Sequence, residues 1–167
     1  ANMRHASAVV RAARARVPST PCSVTNVVFP FCASLPTGLP SSSPSRTIAG
    51  LRSFEQKVLL IAGGYDKHIP FDVLGPEVTA HVKLLVLCGA TAGKIRAAVE
   101  AAPDYRPGCP EILEVTPFQA AVEAARDHAA AGDVVTLSPA CAAFDQFKNF
   151  AERGRVFKEI VRSWPEE

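Results

Sequence analysis

No aspartate or glutamate occurs between Ala1 and Phe54; the first acid is Glu55. Residues 1–54 carry six arginines, a charge of +6, whereas residues 55–167 hold 12 Lys+Arg against all 16 acids, a charge of −4. A folded surface ordinarily mixes both signs, so the two stretches read as different kinds of polypeptide. The net charge of +2 is too small to point to nucleic acid. No two of the five cysteines (Cys22, Cys32, Cys88, Cys109, Cys141) form a CxxC pair. That argues against a disulfide framework and for reduced thiols in a cytoplasmic setting. The four histidines (His5, His68, His81, His128) lack metal-ligand spacing, and no metal site is expected. There is no GxGxxG fingerprint, which disfavours dinucleotide binding. The longest uncharged stretch, Val17–Ser45, contains six prolines, so no transmembrane helix is expected.

What is present is a chain of 167 residues, 48% apolar and 20% charged, which is globular composition of one domain, or one domain and a tail. The chain opens Ala1-Asn2 in place of Met, which reads as a processed or fragmentary start. Residues 4–16 are rich in Arg and Ala, and residues 18–45 in Pro and Ser around an apolar patch, Val27–Leu35. Three readings of this segment stand side by side: an organelle transit peptide, a disordered tail, and translation in the wrong frame. A secretory signal is disfavoured because the apolar patch is late, short and broken by Pro30.

From Ser43 the pattern becomes regular. Ser43-Pro44 reads as an N-cap followed by proline at the first helical position, opening a helix through Phe54. Val58–Gly64, Leu84–Gly89 and Val134–Ser138 are short apolar runs, in the form of strands buried on both faces, and Glu111–Val115 is a weaker strand. Between them fall a helix capped by Thr91, a capping box at Thr116-Pro117-Phe118-Gln119, and a last helix over about 150–163. The 71–82 segment is ambiguous because Gly75-Pro76 breaks any long helix there. Alternation of strand and helix predicts an α/β fold: a Rossmann-like, mostly parallel sheet with helices on both faces, preceded by an irregular N-terminal segment. Ligands of such sheets sit outside the carboxyl ends of the strands.

Two loops at those ends carry chemistry. Gly63-Gly64-Tyr65-Asp66-Lys67-His68 follows the first buried strand. Its glycines permit a sharp turn and close approach of a ligand. A tight turn with a solvated lysine and a ligand-binding Lys67 are both open readings. Ser138–Phe150 begins with small residues whose amides suit an anion and continues with Phe144, Phe147 and Phe150 at a spacing of three. Core packing is the favoured reading for at least two of these rings. Cys141 has no histidine beside it and reads as a buried structural thiol, not a nucleophile. Gly89-Ala90-Thr91-Ala92-Gly93-Lys94-Ile95 imitates a phosphate loop but has three residues between the glycines in place of four, and Ile95 where a hydroxyl is needed.

Taken together, Ala62-Gly63-Gly64-Tyr65-Asp66-Lys67, Gly132-Asp133-Val134-Val135, Ser138-Pro139-Ala140-Cys141-Ala142, and Phe144–Phe150 with Glu152-Arg153-Gly154 resemble the Mur ligase family, in its D-glutamate-adding branch. The resemblance runs from about Ser43 to Ile160. It implies that residues 43–167 are the C-terminal, amino-acid-binding domain of a three-domain cytoplasmic enzyme of peptidoglycan synthesis. The family's other domains bind UDP-N-acetylmuramoyl-L-alanine and ATP with Mg2+. The acceptor carboxylate is phosphorylated, and the amine of D-glutamate then attacks the acyl phosphate. By position, Lys67 matches the lysine that grips a D-glutamate carboxylate, and Phe150 and Phe144 match residues lining that site. Ala143 stands where a serine is common, so its backbone alone remains for contact. Ser42 matches a threonine hydroxyl.

The resemblance stops abruptly near Ser43. The family's Asn-Asp-Ser element is replaced by Thr37-Gly38-Leu39-Pro40, and no phosphate loop occurs. An out-of-frame or gene-boundary error accounts for the abrupt start, the missing acids and the missing aspartate together; a transit peptide or fused tail is the alternative. Residues 1–42 are therefore expected to be irregular. The chain alone is expected to be an inactive, monomeric fragment with no catalytic residue and no cofactor of its own. A non-enzymatic amino-acid-binding module and a non-functional remnant with an open sheet edge are the other readings.

Overall fold

The computed structural model describes residues 43–143 and 145–164, together with the backbone of Val27–Val28. In chain order the elements are β1 (Val27–Val28), α1 (Pro44–Leu51), β2 (Val58–Ala62), α2 (Leu74–His81), β3 (Val82–Leu87), α3 (Ala92–Glu100), β4 (Glu111–Glu114), α4 (Phe118–Asp127), β5 (Val135–Leu137) and α5 (Phe150–Arg162). The sheet order is β1-β5-β2-β3-β4, and every pairing is parallel. The expected α/β architecture is therefore present. The four strands of the regular region, β2–β5, form its body. Val27 and Val28 add two residues alongside Val135 and Thr136, on the edge expected to stand open. The transit-peptide, tail and out-of-frame readings of residues 1–42 otherwise concern residues outside those described.

Strand β2 is buried at all five positions because both of its faces are covered. Val58, Leu60 and Ala62 pack with Leu51, Leu74, Val78, Ile95 and Val99, which places α1, α2 and α3 on one face. Leu59 and Ile61 pack with Phe118, Val122, Ala125 and Phe157, which places α4 and α5 on the other. Each fully buried Leu, Ile or Phe contributes about 1.5–3 kcal/mol by leaving water. The interleaved β2 residues thus anchor both helical layers to one strand.

Several local expectations change. The ambiguous 71–82 segment contains a helix, α2, with Pro76 in its first turn. There a missing N–H costs nothing, since the first four helical amides have no intrahelical partner. Gly75 permits the packing, because a Cβ on it would lie 2.3 Å from the Ala98 carbonyl oxygen. The first helix ends at Leu51, not Phe54, and the Ser43 side chain does not cap it. The buried Ser43 hydroxyl has no hydrogen-bond partner, while its carbonyl accepts from Arg46 and Thr47. The capping box is also absent. Pro117 occupies the N-cap position without a side-chain cap, and the Phe118 amide donates to Gln146 Oε1 at 3.1 Å. The helix start, short of acceptors for its amides, is completed by a distant loop in place of its own flank.

Candidate functional site

Strand β2 lies between β3 and β5. The chain reaches β3 from β2 through α2 on one face, and reaches β5 from β4 through α4 on the other. The winding direction therefore reverses between β2 and β5. In open parallel sheets such a reversal leaves a crevice at the carboxyl ends, where ligands bind. The loops leaving β2 and β5, the two singled out from sequence, flank that crevice.

The loops are stitched to one another. The Gly63 amide donates to Pro139 O and the Tyr65 amide to Ala142 O, both at 2.9 Å, and Tyr65 and Ala142 form an isolated antiparallel bridge. Gly63 and Gly64 have φ of 111° and 148°, and a Cβ on Gly63 would stand 2.0 Å from Cys88 O. Only glycine accommodates both conditions. Among the described residues the non-glycine positions with positive φ are His68 (57°) and Ala140 (58°), one on each loop. Strain of this kind persists where surrounding structure over-determines the backbone, as it does at functional sites.

Two buried side chains complete the stitching. Thr91, fully buried at the end of the β3 loop, was expected to cap α3 but makes no cap. Its hydroxyl instead accepts from the Gly64 amide at 3.1 Å and lies 3.1 Å from Cys141 Sγ. Arg153, 5% exposed, sends its guanidinium from α5 under the β5 loop, donating to Cys141 O at 3.0 Å and to Ala142 O at 3.2 Å. Burial lowers its pKa from the usual arginine value. Burial also pushes the Cys88 and Cys141 thiols up to about 11, which suits packing and opposes a nucleophilic Cys141.

Lys67 is exposed on the β2 loop. Beside it, Asp66 pairs with Lys94 from the first turn of α3 and accepts from the His68 amide at 2.8 Å. The Lys94 hydrogen bond, then that amide, hold the Asp66 carboxyl below the usual aspartate value. Ala143 is buried, and its carbonyl accepts from Gln146 and Phe147. Among the described residues nothing accepts from its amide. Phe150, the first residue of α5, is 54% exposed, so it is not the core residue that the packing reading allowed for. Phe147 is: its ring meets Phe118 edge-on at 5.0 Å. Asn149 caps α5 by accepting from the Glu152 amide at 2.8 Å. Ser42 and Phe144 lie outside the described residues.

Of the residues expected from sequence, the structure thus places Lys67, Ala143 and Phe150 on the two loops of one crevice. It adds four that sequence did not assign to it: Thr91 and Lys94, which were read as helix-start residues, Gln146, and Arg153. The exposed ammonium, the exposed ring and small-residue amides suit a small anionic ligand with an apolar stem. Among the described residues no group of three or more His, Cys, Asp or Glu could hold a metal ion, and no helix is long and apolar enough to cross a membrane.

No protein-family profile matches the chain. Among curated proteins, it is 52% identical over 123 residues to UDP-N-acetylmuramoylalanine--D-glutamate ligase of Clostridium botulinum strain Okra, a match covering 74% of this chain and 27% of that protein. It is 54% identical over 125 residues to the ligase of the same name from Acetivibrio thermocellus, covering 74% and 27% respectively. The corresponding Clostridium kluyveri ligase is 53% identical over 121 residues, covering 72% and 26%. The chain therefore spans about a quarter of the length of the curated relatives it matches.

Proposed function

We propose that, over the stretch that matches them, this chain belongs to the family of the D-glutamate ligases and that residues 43–167 are the C-terminal, amino-acid-binding domain of such a ligase. D-glutamate occupies the crevice between the β2 and β5 loops. The observation that carries this reading is the meeting of the two motif loops at the winding reversal, tied by the Tyr65–Ala142 bridge. The Lys67 ammonium pairs with one carboxylate of the amino acid. The Phe150 ring lies against its methylenes. The Ala143 amide donates to an oxygen that a serine hydroxyl would meet in relatives bearing one.

In a whole cytoplasmic ligase this arrangement holds the D-glutamate amine for attack on an acyl phosphate formed from UDP-N-acetylmuramoyl-L-alanine and ATP with Mg2+. The domain's contribution is positioning, which converts a bimolecular encounter into an oriented one. The residues present do not fit the nucleotide and metal: the sequence has no phosphate loop, and the described residues contain no metal-ligand cluster. ATP and Mg2+ are accordingly assigned to the rest of a whole ligase. The 167 residues alone bind D-glutamate without releasing phosphate from ATP.

Titration of the 15N-labelled chain with D-glutamate tests the assignment. Saturable shifts are expected at residues 63–68 and 139–150, with weaker response to L-glutamate. An exposed charge pair contributes about 0.5–1 kcal/mol, so Lys67→Ala weakens binding by about 2–5-fold. Shifts that do not saturate, that lie elsewhere, or that Lys67→Ala leaves unchanged overturn it. Phosphate release from ATP by the chain with D-glutamate and the UDP-sugar acceptor overturns the claim of inactivity.

A further inference from the structure

The amino ends of the strands hold a second concavity. A cavity of about 430 Å³ opens between α2 and the approaches to β2 and β4, and Lys57, Asp104, Tyr105, Arg106 and Cys109 line it. Lys57 immediately precedes β2. Arg106 and Cys109 are the ends of a tight turn, Arg106-Pro107-Gly108-Cys109, closed by the Cys109 amide donating to Arg106 O at 2.9 Å, with Gly108 at φ 82°. Proline then glycine with positive φ at the two central positions is the signature of a type II turn, so Arg106 and Cys109 are presented together from a stiff element.

The charges of this cavity are unspent. Four cations of the described surface pair with acids: Arg52 with Glu77, Lys83 with Asp133, Lys94 with Asp66, and Arg96 with Glu100 and Glu114. Among the described residues Lys57, Arg106 and Asp104 enter no ion pair, although all three line one cavity. The Lys57 ammonium makes a long hydrogen bond to Thr79 O at 3.5 Å and lies 3.9 Å from Cys109 Sγ. With three protons to donate, it keeps capacity for an anion. Asp104 offsets one of the two cations and leaves this space with an excess positive charge, which favours a bound anion. A phosphate sets three oxygens and a second negative charge against the two cations, whereas a carboxylate sets two oxygens and one charge. Tyr105, Pro76 and Pro103 offer an apolar wall for the remainder of a ligand, and the volume is within the range of small-molecule sites.

We propose that this cavity binds a phosphorylated small molecule, its dianionic phosphate between Lys57 and Arg106 and its body against Tyr105. Cys109 is exposed in the same wall and reports occupancy, whereas Cys88 and Cys141 are buried references. The experiment follows iodoacetamide labelling of Cys109 in the 167-residue chain by peptide mass spectrometry. Phenyl phosphate, inorganic phosphate and benzoate are compared with sodium chloride at equal ionic strength. For a Kd of about 1 mM, 10 mM phenyl phosphate slows labelling about tenfold. Inorganic phosphate protects less, and benzoate least. Because Lys57 touches the thiol, protection is taken as the ratio of rates within each variant. Both cations are exposed, so Lys57→Ala, Arg106→Ala and the double variant retain the fold, which unchanged urea midpoints verify. Protection is expected to fall in each single variant and vanish in the double. Labelling indifferent to phosphate, equal protection by benzoate, or protection that survives in the double variant overturns the proposal.

Discussion

Replacing Gly63 with alanine places a methyl group where the structure has a backbone oxygen. An ideal Cβ there lies 2.0 Å from Cys88 O and 3.0 Å from its carbonyl carbon, at φ 111°. The conformation itself costs an L-residue about 1–3 kcal/mol. Relieving the clash requires the ends of β2 and β3 to part, and overpacking of this kind costs a further 1–3 kcal/mol or so. The total of about 2–6 kcal/mol is a large share of the roughly 5–15 kcal/mol that stabilises an ordinary domain. Gly93 is the matched control: exposed, in the first turn of α3, with nothing within 4 Å of where a Cβ would stand. Gly93→Ala is expected to stabilise by about 0.5–1 kcal/mol through helix propensity. Urea unfolding followed by circular dichroism reads both. With a slope of about 2 kcal/mol/M, Gly63→Ala lowers the midpoint by about 1–3 M and Gly93→Ala raises it by about 0.3–0.5 M. A Gly63→Ala midpoint within about 0.3 M of wild type would show that the close approach of the β2 loop to β3 is not as described. Loss of stability in Gly93→Ala would show that this glycine has a conformational duty the structure does not give it.

Two further outcomes follow from the crevice. Thr91→Val keeps the side chain's shape but leaves the Gly64 amide, now accepted by the Thr91 hydroxyl at 3.1 Å, buried without a partner. It is expected to cost about 1–3 kcal/mol in urea unfolding and to weaken D-glutamate binding, whereas Thr91→Ser keeps the binding; equal affinities for Thr91→Val and wild type count against the tie. The Asp66 carboxyl is held below its ordinary value by Lys94 and then by the His68 amide. Its contribution is therefore present above the unfolded value of about 3.9 and is lost as pH falls through the lower folded value. Asp66→Asn should flatten the acid limb of a stability-versus-pH series below about pH 4. A residual slope is expected from Glu77, which Arg52 likewise holds low. An unchanged limb in Asp66→Asn refutes the Lys94–Asp66 coupling.

The layers of the fold were readable because they rest on short-range pattern. The run Val58–Ala62 is apolar throughout, and it lies at the centre of the regular strands with both faces covered. Phe118, Ala121, Val122 and Ala125 share one face of α4 and are all buried. The helix at 74–81 was obscured by Pro76, whose position within the helix decides its cost and cannot be read before the helix start is known. The strand pairing of Val27–Val28 was hidden for a different reason. Its partners Val135 and Thr136 are more than a hundred residues away, and two residues carry no periodicity. In the crevice, Lys67 and the small-residue loop were visible as loop chemistry after buried strands. Phe150 was not separable from Phe147 by spacing, since the exposed ring begins α5 and the half-buried ring precedes it by three residues.

The residues that shape the crevice share a single property: each has the local signature of a capping or surface group and spends its polar atoms on another loop. Thr91 precedes α3 and bonds to Gly64 and Cys141; Gln146 lies in the β5 loop and completes the start of α4; Arg153 lies one turn into α5 and holds Cys141 O and Ala142 O. These ties make the loop geometry a joint property of β2, β3 and β5, so no single loop can be read for it. They also hold a cation beneath the small-residue loop. No described carboxylate lies within ion-pair distance of the buried Arg153 guanidinium, and the Cys141 and Ala142 carbonyls accept its hydrogen bonds. Burial lowers its pKa, yet an arginine starts so far above neutrality that it stays charged. A fixed positive charge thus underlies the small-residue loop, and the Asp145 carboxylate, which acts on it through space, offsets part of it. On the proposed reading a carboxylate ligand meets the field of this buried cation as well as that of the exposed Lys67, with Asp145 and Asp66 opposing both, so the scaffold has a share in the preference along with the lysine.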